Sequence, residues 1–300
     1  MKRTKIQRGR SLEGAFSLIE ILVAVTLLSV ITIGLLAMFY QTQKAFRLGT
    51  SQVDVLEGGR GTMQLICRDL QQMHTSNMDD MTNFLAESTG EPWIVMGLPG
   101  GGQRQNRLQD VSFLTREGGT WNAISYRVHH RDRGGGTLYR AVLSVDMEGI
   151  LTDANLKPRH QWIAVSNIFG RVCERFTGTY SVTNPTPEVA MTPALPPLVF
   201  DRIADGVVHF RVLAYTESGM LYTNNSLVRV NGYGMRNFVP AYLDVELAIL
   251  DPKGVEQFNR RGDAAARAYL ETQAYRTQIF RQRINLRARQ LEHELFATAK

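Results

Sequence analysis

The most prominent feature of the hydropathy pattern is a single long apolar run close to the N-terminus. No charged residue occurs from Ile21 to Tyr40. A helix of this length spans roughly 30 Å, which matches the hydrocarbon thickness of a bilayer. One carboxylate, Glu20, immediately precedes the run, and a basic segment lies further upstream. The pattern predicts a membrane-spanning helix over residues 16–40, preceded by a cationic segment at residues 1–15.

Beyond Tyr40 the apolar positions follow a helical period. They recur mostly at spacings of three, four or seven, so they would form a stripe on one helical face. These positions are Phe46, Val53, Leu56, Met63, Ile66, Leu70 and Met73. Glycines near residues 57–61 weaken the helix, because each costs up to about 1 kcal/mol relative to Ala. We expect the helix to continue over residues 41–76 with a bend or partial melting at 57–61; two separate helices are the alternative.

From Trp93 onward the pattern changes to short alternating runs, which are typical of strands. Strands are predicted at residues 111–115, 121–131, 137–145, 207–215 and 242–250, the second and third joined as a hairpin by residues 131–136. Polar connections or loops are predicted at residues 77–90, 147–160, 184–197 and 231–235. Residues 161–169 fit either a strand or a turn of helix.

The C-terminal part begins with an amphipathic pattern, which predicts a helix over about 254–277. In the following segment Phe280 and Ile284 alternate with Arg281 and Arg283, which predicts a closing strand with one apolar and one cationic face. Together the elements indicate an α+β fold, in which the long N-terminal helix packs on an antiparallel sheet and residues 77–300 form the head.

Charge and cysteine content add little to this picture. The formal net charge is +6, but residues 1–15 hold five basic residues and one acid, so this segment carries +4 and the remainder only +2. The basic balance is therefore weak evidence for nucleic-acid binding. Two cysteines, Cys67 and Cys173, do not make a disulfide framework. They either pair in an oxidising compartment or remain inert thiols.

Two ordinary interpretations of the N-terminus leave something unexplained. The apolar run is too long for the core of a secretory signal peptide, and no pattern of small residues for cleavage follows it. A simple single-pass anchor, with its basic end in the cytoplasm, explains everything except Glu20. A carboxylate drawn into the bilayer centre costs up to about 2.5–3.5 kcal/mol, and such residues are usually paired.

The stretch Phe16-Ser17-Leu18-Ile19-Glu20 before an apolar helix resembles the processing motif of type IV pilins and type II secretion pseudopilins. In that family a prepilin peptidase cuts before the Phe and methylates the new amine. The acid at the fifth mature position then faces the N-terminus of a neighbouring subunit. The resemblance implies cleavage between Ala15 and Phe16, N-methylation of Phe16 and an assembly role for Glu20. The family usually has Gly where Ala15 stands, so cleavage after Gly14 is the alternative.

Further motifs make the chain look like the J-type minor pseudopilin of type II secretion. They are Arg68-Asp69-Leu70, Ser125-Tyr126-Arg127, Leu138-Tyr139-Arg140 and the segments 203–210 and 240–247. The resemblance implies a pilin-like head in the periplasm, a single pass through the bacterial inner membrane, and a structural role at the filament tip. The implied partners are other pseudopilins, the prepilin peptidase and possible exported proteins.

The sequence predicts no catalytic residue, cofactor or metal ion. His129 and His130 would point to opposite faces of a strand, and the glycine-rich turns lack the Lys-Ser/Thr of a phosphate loop. The arginines between residues 276 and 289 would contact DNA, an acidic partner or only solvent. Two alternatives remain beside the pseudopilin: a minor pilin of a type IV pilus or DNA-uptake machine, and a membrane-anchored periplasmic enzyme or binding protein.

Overall fold

A computed structural model describes most of the chain. The described residues are 17–76, 82–88, 94–98, 101–129, 133–146, 165–166, 168–170, 172–173, 199–222, 232–236 and 238–286. The chain divides into two compact units, residues 1–51 and 52–300. Helix α1, Leu18–Gln71, contributes residues to both units. The predicted loops at 147–160 and 184–197 lie outside the described residues, as does the cationic segment at residues 1–15.

In the first unit, α1 presents its apolar side chains to the surroundings. Every side chain described from Ser17 to Thr50 is exposed. The hydroxyl groups of the span are satisfied within the helix: Ser29 Oγ donates to Val25 O and Thr32 Oγ1 to Leu28 O, both at 2.8 Å. Such internal bonding suits a polar group in an apolar medium. This helix is long and apolar enough to span a membrane.

The second unit contains the C-terminal part of α1, which is helical through residues 57–61. The predicted partial melting and the two-helix alternative are therefore wrong. The apolar stripe is correct only in its second half: Met63, Ile66 and Leu70 are buried. Phe46, Val53 and Leu56, which were predicted to lie on the same stripe, are exposed. The packed face instead begins at Val55 and Gly59, which keep the helical spacing to the buried residues further along.

Gly59 allows α1 to approach the last strand of the sheet. A Cβ atom built at this position would overlap the ring of Phe280, whereas no heavy atom lies within 4 Å of one built at Gly58 or Gly61. The three neighbouring glycines therefore differ in what surrounds them. Only Gly59 is required by packing, so the helix tolerates its conformational cost at that position.

We expect Gly59→Ala to destabilise the head by about 1–2 kcal/mol, because overpacking exceeds the gain in helix propensity. Gly58→Ala and Gly61→Ala, the matched controls, should stabilise it by up to about 1 kcal/mol. Urea titration of the full chain in detergent, followed by tryptophan fluorescence, measures all three. A stabilising Gly59→Ala substitution would contradict the packing role of this glycine.

The head is built on an eight-stranded antiparallel sheet with the order β10-β9-β7-β6-β5-β4-β1-β8. The strands are β1 Thr82–Ser88, β4 Gln109–Glu117, β5 Thr120–His129, β6 Gly136–Asp146, β7 Phe200–Tyr215, β8 Gly232–Arg236, β9 Tyr242–Leu250 and β10 Thr277–Asn285. A separate hairpin is formed by β2 Ile94–Gly97 and β3 Gln103–Asn106. The α+β class and the antiparallel sheet are confirmed.

Strand β7 pairs with its two neighbours over different parts of its length. Its first part pairs with β6 on one side and its second part with β9 on the other, and both pairings reach Val207. The preceding residue, Gly206, has φ +68°, a left-handed conformation that a side chain would strain. Beyond this point β7 approaches the start of β4 through a bridge between Leu108 and Phe210. The inner face of the sheet packs on α1 through a core that includes Phe113, Tyr126 and Phe210. 

The outer face of the sheet, which points away from α1, is covered in two places. Helices α2 (Pro252–Asn259) and α3 (Asp263–Glu271) pack with β2 on Val208, Ala248 and Leu250. Elsewhere Val165, Ile168, Phe169 and Val172, all helical, pack on Leu114, Ala123 and Leu143. The turn of helix was thus the correct alternative for the described part of residues 161–169.

Three of the predicted elements need correction. The connection at 77–90 contains β1, and the loop at 231–235 contains β8 within its described residues. The single helix at 254–277 is two short helices, because the chain turns at residues 260–262 before α3 begins. The predicted hairpin is confirmed as β5 and β6, and the closing strand as β10 with its apolar and cationic faces.

Candidate functional site

Glu20 lies in the first turn of α1 and its side chain is exposed. Its backbone N–H donates to Ser17 O at 2.9 Å. The positive end of the helix dipole favours a carboxylate at this position. No basic residue occurs between Ser17 and Gln43, so the adjacent part of the helix supplies no cation for this acid. The other predicted site residues, Ala15 and Phe16, lie outside the described residues.

Three residues from the motifs of the head meet in one buried ionic cluster. Asp69 from the end of α1 is only 2% exposed. Its Oδ2 accepts hydrogen bonds from Tyr126 Oη at 2.7 Å and from Arg140 Nε at 2.6 Å. Tyr126 and Arg140 are opposite each other on β5 and β6. The cluster therefore attaches the end of α1 to the centre of the sheet.

The local electrostatics hold the protons of this cluster in place. Burial, together with the negative charge of Asp69, raises the pKa of the Tyr126 phenol far above its ordinary value. Burial acts to lower the pKa of Arg140, but the hydrogen bond and charge of Asp69 outweigh it and raise that pKa. Tyr126 thus remains a neutral donor and Arg140 a cation, as a buried carboxylate requires.

A cleft of about 470 Å³ opens beside this cluster. Its lining consists of Arg68, Asp69, Gln72, Thr115, Glu117, Asn122, Ile124, Arg140, Val142 and Asp201. The lining contains neither His nor Cys, and one of its acids, Asp69, binds Arg140 at 2.6 Å. Within the described residues, no group of three or more His, Cys, Asp and Glu side chains could hold a metal ion. Chemically, this arrangement pairs charges between α1 and the sheet.

A second polar network lies on the outer face around His209. Its Nδ1 accepts from the Arg107 backbone N–H at 2.9 Å, so Nε2 carries the proton and faces Glu246 Oε2 at 3.2 Å. Glu246 Oε1 also lies 3.0 Å from Arg281 Nε. Burial lowers the pKa of His209, whereas the His209 hydrogen bond, followed by nearby positive charges, lowers the pKa of Glu246 to about 2.

Both shifts make the head less stable in acid. Below its ordinary pKa of 6.5, His209 takes up a proton more readily in the unfolded chain than in the folded one. Glu246 stabilises the fold above its ordinary pKa of 4.5, and this contribution is lost as the pH falls towards about 2. We therefore expect the urea midpoint of the full chain in detergent to fall between pH 7 and pH 3. His209→Gln should remove the upper part of this dependence, and an unchanged profile would contradict the assignment.

No protein-family model, curated protein or solved structure matches the chain. Sequence reasoning noted Asp69, Tyr126 and Arg140 only as motif residues and did not bring them together. An acid at the end of an apolar helical stripe was the available signal for such a cluster. Sequence reasoning missed the network around His209 altogether. Cys67 and Cys173 are free thiols in the structure.

Proposed function

We propose that this chain is a minor pseudopilin, a structural subunit of a type II secretion pseudopilus that sits near the filament tip. The observation that carries the proposal is the N-terminal helix. An acid stands in its first turn, an exposed apolar span follows, and the same helix then packs on an antiparallel sheet. Large exposed apolar surfaces mark membrane or protein contacts. Before assembly the bilayer covers this surface, and within the filament neighbouring helices cover it.

In this proposal Glu20 pairs with the amine of a neighbouring subunit. The acid has an exposed side chain and no basic residue near it along the helix. A carboxylate in an apolar bundle is stable only when a positive charge compensates it. The processed N-terminus of the next subunit, the methylated amine of Phe16, supplies that charge. The subunit lies at the tip because its large head is difficult to repeat along a thin filament, and its function is structural.

The intact mass of the mature chain tests this proposal. Co-expression with a prepilin peptidase should yield a chain that begins at Phe16 and carries one added methyl group. Without the peptidase the chain should keep Met1. Ala15→Gly, which restores the usual residue before the cut, should be processed at least as completely. A chain that retains Met1 beside an active peptidase would contradict the proposal, and one that begins at Ala15 would move the cut to the alternative position.

Pull-down from solubilised membranes separates this proposal from its closest alternative, a minor pilin of a type IV pilus or DNA-uptake machine. Both share the N-terminal processing, so they differ only in their partners. Recovery of secretion-system pseudopilins supports the proposal, whereas recovery of pilus components supports the alternative.

A further inference from the structure

The outer face of β7, β9 and β10, together with one residue of β3, carries a strip of charged and aromatic side chains. We call it the arginine strip; it consists of Arg104 of β3 and, on the sheet, Arg211, Tyr215, Tyr242, Asp244, Glu246, Arg281 and Arg283. Four arginines stand against two carboxylates, which leaves two positive charges in excess. Arg281 and Arg283 are 66% and 63% exposed, so the end of the strip on β10 is accessible to a partner.

The arginines of the strip lie close enough to repel one another. Burial lowers the pKa of Arg104; the charge of Glu246 opposes this shift, and the charge of Arg281 adds to it. Two guanidinium nitrogens, Arg104 Nη2 and Arg211 Nε, are buried and have no hydrogen-bond acceptor among the described residues. Buried donors without acceptors are costly, so the two carboxylates do not satisfy all the arginines of the strip.

The aromatic part of the strip is already ordered. The rings of Tyr215 and Tyr242 stack with centroids 4.7 Å apart. The Arg283 guanidinium lies 4.6 Å from the centre of the Tyr242 ring and forms two hydrogen bonds to Asp244, at 2.7 and 2.8 Å. Arginine and tyrosine are enriched at the energetic centres of protein interfaces. Their prior ordering reduces the entropy that a partner would lose on binding.

We propose that the arginine strip is a docking surface for an acidic segment, rich in Asp and Glu, of a partner protein. Carboxylates suit it because Arg281 and Arg283 already bind Glu246 and Asp244 in this way. The inference goes beyond the proposed function, since it concerns the head and requires no filament.

Two features favour a polypeptide over nucleic acid. The excess of two charges is small beside the 6–10 phosphate contacts of a typical DNA-binding surface. The two tyrosine rings stack on each other, and Arg283 lies over Tyr242, so little ring surface remains for bases.

Binding of a fluorescent poly-L-glutamate peptide to the full chain in neutral detergent micelles tests the proposal by fluorescence anisotropy. A glycine-serine peptide and empty micelles give the background, and a duplex DNA of similar charge gives the comparison. We expect poly-L-glutamate to bind more tightly than DNA, with an affinity that falls as salt rises. Arg281→Gln combined with Arg283→Gln should weaken binding about tenfold or more, since two charge-assisted contacts are lost.

Three single substitutions distinguish an effect of the strip from an effect of overall charge. Asp244→Asn should strengthen binding severalfold, because it removes a competing carboxylate. Arg202→Gln and Asp205→Asn are the matched controls, since these residues form a comparable exposed pair on β7. Arg202 lies eleven residues before Leu213, the partner of Asp244, which is roughly 35 Å along a strand. Both controls should leave the affinity unchanged.

Neither misfolding nor filament assembly would produce the expected results. Each variant must keep the tryptophan fluorescence and the urea midpoint of the wild type. Asp244→Asn is expected to gain rather than lose binding, which misfolding would not cause. Equal weakening by Arg202→Gln would reduce the effect to net charge and overturn the proposal. Tighter binding of DNA than of poly-L-glutamate would assign the strip to nucleic acid instead. Absence of peptide binding at low salt would reject the docking surface altogether, whatever the mature N-terminus proves to be.

Discussion

Asp69→Ala should destabilise the head by about 3–5 kcal/mol, the largest loss that we expect from a single substitution. Asp69 is buried and accepts from both Tyr126 and Arg140 through one oxygen. Without it, the half-buried Arg140 guanidinium keeps its charge but loses its nearest carboxylate. The Tyr126 hydroxyl, itself buried, loses its acceptor at the same time. Both penalties fall on the contact that attaches α1 to the sheet.

Variants of the partner residues separate charge from hydrogen bonding. Tyr126→Phe removes one hydrogen bond and leaves the ion pair, so it should cost about 1–2 kcal/mol. Arg68→Gln is the matched control: Arg68 is 67% exposed, and its Nε lies 3.8 Å from the same carboxylate. A surface pair of this kind contributes about 0–1 kcal/mol. The double variant Asp69→Ala with Arg140→Ala should lose less than the sum of its parts, because no unpaired charge remains.

Urea titration of the full chain in detergent measures these losses. Trp121 is buried in the head and reports its unfolding by fluorescence. The measurement should be made near pH 7, where acid effects from His209 and Glu246 are small. If Asp69→Ala costs no more than Arg68→Gln, the cluster does not attach α1 to the sheet.

Local patterns predicted the elements whose burial alternates or whose composition is plainly apolar. The hairpin β5–β6, the strand β9 and the cationic face of β10 all follow from periodicity along the chain. The same rule failed for β1, because this strand buries Asn83, Glu87 and Ser88. It failed for β8 because Gly232 and Gly234 resemble a loop. In both strands the pairing partner is distant in sequence, so no local signal marks them.

The same limit applies to the candidate sites: a local signal could be recognised in the sequence, whereas a contact between distant residues could not. Glu20 could be proposed as a candidate from its position before an apolar run, since that context is local. The cluster of Asp69, Tyr126 and Arg140 could not be assembled, because its members are separated by 57 and 71 residues from the acid. The buried face of α1 was predicted to begin too early along the helix, since periodicity alone does not show where the sheet starts to cover it. The packed face begins at Val55 and Gly59, and Gly59 is contacted by Phe280, a residue far along the chain.

Glu20→Ala should leave membrane insertion intact and remove the subunit from the filament. Insertion depends on the apolar span, which this substitution makes more apolar still. Assembly depends, in the proposed function, on pairing between Glu20 and a neighbouring amine within an apolar bundle. Removing one member of a desolvated pair costs about 3–5 kcal/mol, which corresponds to about a 100-fold or greater loss of incorporation. Sedimentation of sheared filaments, compared with the membrane fraction, measures the distribution of the subunit.

The controls for this prediction come from the same helix. Ser29→Ala changes another exposed side chain of the span, whose hydroxyl bonds only to Val25 O in the described structure, and it should assemble normally. Glu20→Asp keeps the charge on a shorter side chain and should assemble to an intermediate extent. Incorporation of Glu20→Ala at the wild-type level would show that the acid has no assembly role, even where the chain is cut and methylated at Phe16. Loss of both membrane insertion and assembly would indicate instead that Glu20 acts in targeting, because pairing within a filament can matter only after the helix has entered the bilayer.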